Sequence, residues 1–386
     1  MIEPKIDPTL ERYREDYPIL ARTTYMNSNS MGAMPRGAEA ALMEYTKMWA
    51  TEGGEAWEQW PALINEVADS AAKFIGAPAG QTTLNQNVAT FQAMVASGLD
   101  FSDQNEVVIE ELMFPNLIYV WDRFQDSGAK LKLVKSDDGM TIPTERWLEA
   151  INERTKIVVL SHAVYVSGAL HDVTAICKRA HEVGAIVMVD VYQTAGCVPI
   201  DVAEWGADIV VGGSHKWLCG AAGTCYMWVK PEVAQTIRPK TTGWMAHADP
   251  FAFDPAPIKY ADGPWRFLSG TPSVPAYYVA REAYKNLLEV GVERIRAHNM
   301  ALCQIIVERG LEKGLTIHSP TDPHARTCFV AVNFEGSQAA SRALIDEHYK
   351  LDWRPGCGLR VGPHFYNTEA EVHRFMDRVI ELAGRA

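Results

Sequence analysis

Short runs rich in β-branched residues alternate with helical patterns through the middle of the chain, and that alternation limits the fold more than any other feature. The runs fall at 107–109, 131–134, 157–160, 186–189 and 209–211. Uninterrupted apolar runs of this length suit strands covered on both faces, as parallel strands are. Between the third and fourth runs lies HDVTAICKRAHEVG, in which Val173, Ile176, Cys177, Ala180 and Val183 share one helical face. Asp172 can cap its start and Gly184 can close its end. Strand, helix, strand in that order predicts an α/β domain with a mainly parallel sheet.

The texture changes after about Thr271. A helical stretch covers residues 277–312 with a break near Gly291, and the strand-like CFVAVNF follows at 328–334. The last helix carries Val372, Phe375, Met376, Val379 and Ile380 on one face, with Thr368 and Glu371 as a capping box before it. The expected division is a large domain at 41–270 and a smaller α+β domain at 271–386, which residues 1–40 join. With 36 Lys and Arg against 48 Asp and Glu, the chain has a formal charge of −12 and no basic run. Nucleic acid and anionic membranes are therefore poor partners. No apolar stretch approaches membrane length and no signal-like core opens the sequence. Seven scattered cysteines without C-x-x-C fit reduced thiols in a cytosol, and the histidines form no metal-binding spacing.

Three residues stand where α/β enzymes place their chemistry. Asp190 directly follows an apolar strand, at the end that lines the ligand crevice of open sheets; it could equally cap a loop. Lys216 ends a strand among small residues in DIVVGGSHKWLCGAAGT. Partial burial would favour loss of its proton and attack on a carbonyl, although a surface lysine would look the same. Arg360 in DWRPGCGLRVGPHFYN can hold a carboxylate through two parallel hydrogen bonds, or serve in a structural ion pair.

Together these segments resemble the fold-type I pyridoxal-phosphate enzymes, in the superfamily of class V aminotransferases, cysteine desulfurases and kynureninases. VDVYQTAG followed by GGSHKWLCG is the most specific part, with Lys216 lying 26 residues after Asp190 as in the family. The resemblance runs from TYMNSNSMGAMP to the C-terminal helix. It implies a seven-stranded, mainly parallel sheet and pyridoxal 5'-phosphate as cofactor. It also implies a cytoplasmic homodimer with shared active sites and no metal.

The resemblance assigns roles residue by residue. Lys216 becomes the Schiff-base lysine and proton shuttle, and Asp190 the partner of the pyridine nitrogen. Gln193 becomes the contact of the ring hydroxyl. His215 becomes a phosphate ligand, with a packing histidine as the other reading. Backbone N–H groups of Gln86 and Asn87, in TTLNQNVATF, meet the phosphate at a helix N-terminus, where NQN is otherwise a capping cluster. Phe114 takes the place of the ring that stacks on the cofactor, or is a core residue. Thr271, in SGTPS, reaches the partner subunit's phosphate, unless the segment is only a turn. Asn29 and Ser30 approach the substrate carboxylate beside Arg360.

Local resemblance is greatest to kynureninases, through NSMGAMP, FPN, GWMAH and the RPGCGLRVGPHFYN tail. It maps Trp244 to the phosphate and His247 to the substrate. Kynureninases, however, carry tyrosine where this chain has His215 and asparagine where it has Gly270. A site built on particular hydrogen bonds does not keep its specificity when they vanish. Cys357 occupies a tight Gly-Cys-Gly turn rather than the mobile loop of a desulfurase. The expected activity is class V amino transfer on a small amino acid. The alternatives are kynureninase-like hydrolysis or Cβ lysis, and a non-catalytic cofactor-binding sensor. Loops around Phe251, Trp265 and His364 are expected to form the side-chain pocket.

Overall fold

The computed structural model describes residues 2–384. A seven-stranded sheet runs in the order Thr82–Asn85, Cys225–Val229, Ile209–Gly213, Ile186–Asp190, Thr155–Ser161, Glu106–Glu110 and Lys130–Val134. Cys225–Val229 runs antiparallel to both of its neighbours, Thr82–Asn85 and Ile209–Gly213, and every other pairing in the sheet is parallel. A parallel return needs a dozen or more residues, usually a helix. The segment between Gly213 and Cys225 is shorter and doubles back, and its bend carries Lys216.

The five predicted runs all lie within strands, and their side chains contribute to both hydrophobic clusters on the faces of the sheet, which helices and loops complete. The helix Val173–Glu182 begins where expected, with the Asp172 carboxylate accepting the Ala175 N–H at 3.0 Å. Gly184 closes it at φ 72°, a left-handed conformation that favours glycine. Two strands of this sheet were not foreseen. Thr82–Asn85 is short and polar in composition, and Cys225–Val229 carries tyrosine, methionine and tryptophan rather than a β-branched run.

A second sheet is antiparallel, in the order Asp352–Arg354, Gly358–Val361, Val330–Asn333 and Thr316–Ile317. The helices Val274–Val290 and Val292–Glu312 break at Gly291 as anticipated. Thr368 and Glu371 form the predicted capping box of Glu369–Ala383. The N-terminal strand Thr24–Tyr25 pairs with Tyr349–Lys350, and Asn27 bridges to Gly362. These pairings bring residues 29 and 30 beside the hairpin that holds Arg360. No helix among the described residues is long and apolar enough to cross a membrane.

Candidate active site

The C-terminal ends of the parallel strands open onto a cavity of about 330 Å³. Asn29, Ser30, Asn87, Phe114, Asp190, Gln193, His215, Lys216 and Arg360 all line it. Each is delivered by the turn or strand end that follows from the topology, so residues more than 300 positions apart share one wall.

Asp190 ends its strand with the carboxylate nearly buried, accepting the Tyr192 N–H at 2.7 Å. Burial pushes its pKa up to about 6, against the stabilising effects of that N–H and of Lys216. Burial also pushes Lys216 down to about 8, opposed chiefly by Asp190. The lysine Nζ lies 4.6 Å from the centre of the Tyr192 ring and 5.9 Å from that of Phe114. An amine held near 8 loses its proton far more readily than an exposed lysine, as a nucleophile must.

Gln193 bridges two parts of the wall. Its Nε2 donates to the Asn29 carbonyl at 3.0 Å, and its Oε1 accepts the Trp217 indole N–H at 3.1 Å. Asn29 itself is fully buried, yet neither polar atom of its side-chain amide has a partner among the described residues. A buried orphan amide in a cavity wall calls for a polar occupant. His215 is neutral near pH 7, because burial and then Lys216 push its pKa down to about 4.

Arg360 combines both roles considered for it. Its Nε donates to Asp352 Oδ1 at 2.9 Å, its Nη2 to Asp352 Oδ2, and its Nη1 to the Tyr165 carbonyl at 2.6 Å. The ion pair occupies the side edge of the guanidinium. One hydrogen on each Nη nitrogen remains, so the guanidinium still has two donors to offer a carboxylate. Asp352 faces Arg360 directly across the hairpin and also pairs with Arg354, another lining residue, at 3.0 Å.

Four predicted residues lie outside this cavity. The Gln86 N–H is taken by the Asn85 side chain at 2.8 Å and the residue is exposed, so its backbone offers no free donor. Asn87 remains in the wall, its side chain accepting the Thr90 N–H at the start of Val88–Gly98. Trp244 and His247 line a separate depression with Phe253, and Thr271 is exposed on a turn. The expected side-chain pocket is also corrected. His364 is buried, bonded to the Trp217 carbonyl at 2.8 Å, and Phe251 packs on Trp57 and Trp244. Neither they nor Trp265 line the cavity, whose remaining wall includes Met113, Asn116, Leu117, Ser161 and Tyr165. Sequence reasoning missed Tyr192, Arg354 and Asp352; a strict hairpin register through RPGC would have placed Asp352 opposite Arg360.

Residues 25–375 match the aminotransferase class V family. The uncharacterized aminotransferase YcbU of Bacillus subtilis is 30% identical over 370 residues, covering 96% of this chain and 97% of the relative. The kynureninase of Pseudomonas fluorescens is 26% identical, covering 98% and 93%. The cysteine desulfurase of Thermococcus onnurineus has the same fold, with a TM-score of 0.88, 22% identity and complete coverage of both chains. The chain therefore belongs to the aminotransferase class V family of pyridoxal 5'-phosphate-dependent enzymes.

Proposed function

We propose that this protein is an aminotransferase acting on a small amino acid. The observation that carries the proposal is the meeting of Lys216, Asp190 and Arg360 in one cavity. Transamination needs an amine that can lose a proton, a carboxylate at the ring nitrogen and a clamp for the substrate carboxylate, and no further nucleophile. Pyridoxal 5'-phosphate supplies an aldehyde that condenses with amines and a ring that draws electrons from the substrate Cα. The residues present fit that group: the buried Asp190 carboxylate gains from a cationic neighbour, and the orphan Asn29 amide faces the same space.

Each side chain then has a definite task. Lys216 would hold the cofactor covalently and is placed to move the proton at the substrate Cα. Asp190 would keep a proton on the pyridine nitrogen, and Gln193 would meet the ring hydroxyl. Asn87 and His215 would meet the phosphate, and Phe114 would cover the ring. Arg360, with Asn29 and Ser30, orients the substrate carboxylate.

Desulfuration through a protein thiol fits the chain less well. Cys357 is 1% exposed, burial pushes its pKa up to about 11, and among the described residues no cysteine lines the cavity. Thr271, Trp244 and His247 complete the site only if a second copy supplies them. Exposed Met43 and Trp49, on the helix Gly37–Glu52, and exposed Phe251 and Phe253 support such a dimer. Incubation of the cofactor-loaded protein with an amino-acid panel and a 2-oxo acid tests the reaction. Amino transfer to the added acid is expected. Release of pyruvate or alanine without an acceptor would overturn the assignment in favour of Cβ cleavage.

A further inference from the structure

Tyr192 has no place in the roles considered so far, yet it lies between the two residues on which those roles depend. It follows Asp190 by two positions, and its ring sits beside the Lys216 amine. The chain makes room for it: a Cβ on Gly213 would come within 2.0 Å of the Tyr192 hydroxyl. That hydroxyl lies 3.1 Å from His215 Nδ1 and 3.3 Å from Cys225 Sγ.

The direction of these contacts follows from the chemistry of the three groups. Burial raises the tyrosine well above its ordinary value and the Cys225 thiol to about 11, so both keep their protons near pH 7. The neutral His215 ring carries a single N–H. If that hydrogen were on Nδ1, it would donate to the tyrosine oxygen, and the tyrosine O–H would have to turn to the thiol sulfur. Sulfur is a weak acceptor and a bare imidazole nitrogen a strong one. The better arrangement has Cys225 donating weakly to the tyrosine oxygen and the tyrosine donating to Nδ1. The remaining imidazole hydrogen then sits on Nε2, which makes no hydrogen bond among the described residues, in a side chain that lines the cavity.

We propose that Tyr192 is a positioning residue that fixes the tautomer of His215, so that the imidazole presents an Nε2–H donor to the phosphate of the bound cofactor. The proposal rests on the cofactor reading above and adds the residue that sets the polarity of one phosphate contact. Without the tyrosine hydroxyl, the ring can place its hydrogen on Nδ1 and turn a lone pair toward the anion.

A double-mutant cycle on cofactor affinity tests this. Pyridoxal 5'-phosphate is titrated by absorbance into the full chain, Tyr192→Phe, His215→Gln and the double variant. Phenylalanine keeps the ring on Gly213, and circular dichroism verifies the fold. Tyr192→Phe is expected to weaken binding about fivefold, the loss of roughly one ordinary hydrogen bond. In the His215→Gln background the same change is expected to have little effect, because its route through the imidazole is gone. An equal loss in both backgrounds, or no loss in either, would overturn the proposal. The ring nitrogens of His215 in the unsubstituted, cofactor-free chain give an independent reading by ¹⁵N resonance: protonated Nε2 with bare Nδ1 supports the assignment, and the reverse refutes it. An unsubstituted chain that takes up no cofactor overturns the underlying reading too, before any variant is made.

Discussion

Replacing Asp190 with asparagine should make the cofactor-free protein more stable while destroying its activity. The carboxylate lies in a buried wall, and its pKa rises from the ordinary 3.8 to about 6. Folding therefore favours the protonated acid. At this site the folded chain binds more protons than the unfolded chain between these values, so the contribution of Asp190 to stability is greatest below pH 4 and falls as pH rises to about 6. At 1.36 kcal/mol for each tenfold change, the ionised carboxylate costs about 3 kcal/mol at pH 7.5. Asparagine has nearly the same shape and its Oδ1 can still accept the Tyr192 N–H, so the substitution removes the charge and little else. The assay is urea denaturation of the cofactor-free chain at pH 4, 5, 6 and 7.5. The unsubstituted chain should lose stability along that series by roughly 2 kcal/mol more than the variant, with closely similar m values. At pH 7.5 the variant should be the more stable of the two. A variant that is equally or less stable there, or that retains the full pH dependence, would refute the argument. The same variant should show almost no amino transfer, because a neutral amide cannot hold the ring nitrogen protonated.

Other substitutions probe the remaining parts. Lys216→Ala should abolish turnover and borohydride fixation of the cofactor while leaving the circular dichroism spectrum unchanged; residual fixation would place the covalent link elsewhere. Arg360→Lys keeps a positive charge but loses the fork, and KM should rise at least tenfold for a contact worth roughly 1.5–3 kcal/mol; an unchanged KM would mean that Arg360 serves only its pair with Asp352. Cys357→Ala should retain activity within about twofold, since its thiol is buried and its pKa is raised. Complete loss of sulfur release from cysteine in that variant would instead identify a desulfurase.

What the sequence made legible follows from how each element is buried. The strands Glu106–Glu110, Thr155–Ser161 and Ile186–Asp190 are covered on both faces, so their composition announces them. Thr82–Asn85 is equally buried but is short and polar, so its strand character comes only from pairing with Cys225–Val229. The same distinction separates the site residues. Lys216 and Asp190 stand at strand ends, where local pattern points to them. Asp352 becomes visible only once the hairpin register is fixed, because its partner faces it across the strands rather than along the chain. Tyr192 escaped notice because a tyrosine after a strand is ordinary; its meaning lies in the distance to His215 and in the space left by Gly213. Trp244, His247 and Thr271 were found by resemblance, and a single chain leaves them away from the cavity.

The charges in the cavity also explain why the site favours one kind of occupant. Burial opposes ionisation of both Asp190 and Lys216, and each is the main charged neighbour that offsets it in the other. Both are predominantly charged only in the interval between about 6 and about 8. His215, in contrast, is held neutral beside the lysine. A molecule with a cationic ring nitrogen would relieve Asp190, and an anionic tail would favour donors such as the His215 N–H. Whatever relieves these groups binds the folded chain better than the unfolded one and must raise its stability. Local instability of the cofactor-free site and affinity for the cofactor are then the same quantity seen from two directions. Asp190→Asn should accordingly narrow the gap between the cofactor-free and cofactor-loaded melting temperatures, even though it stabilises the former.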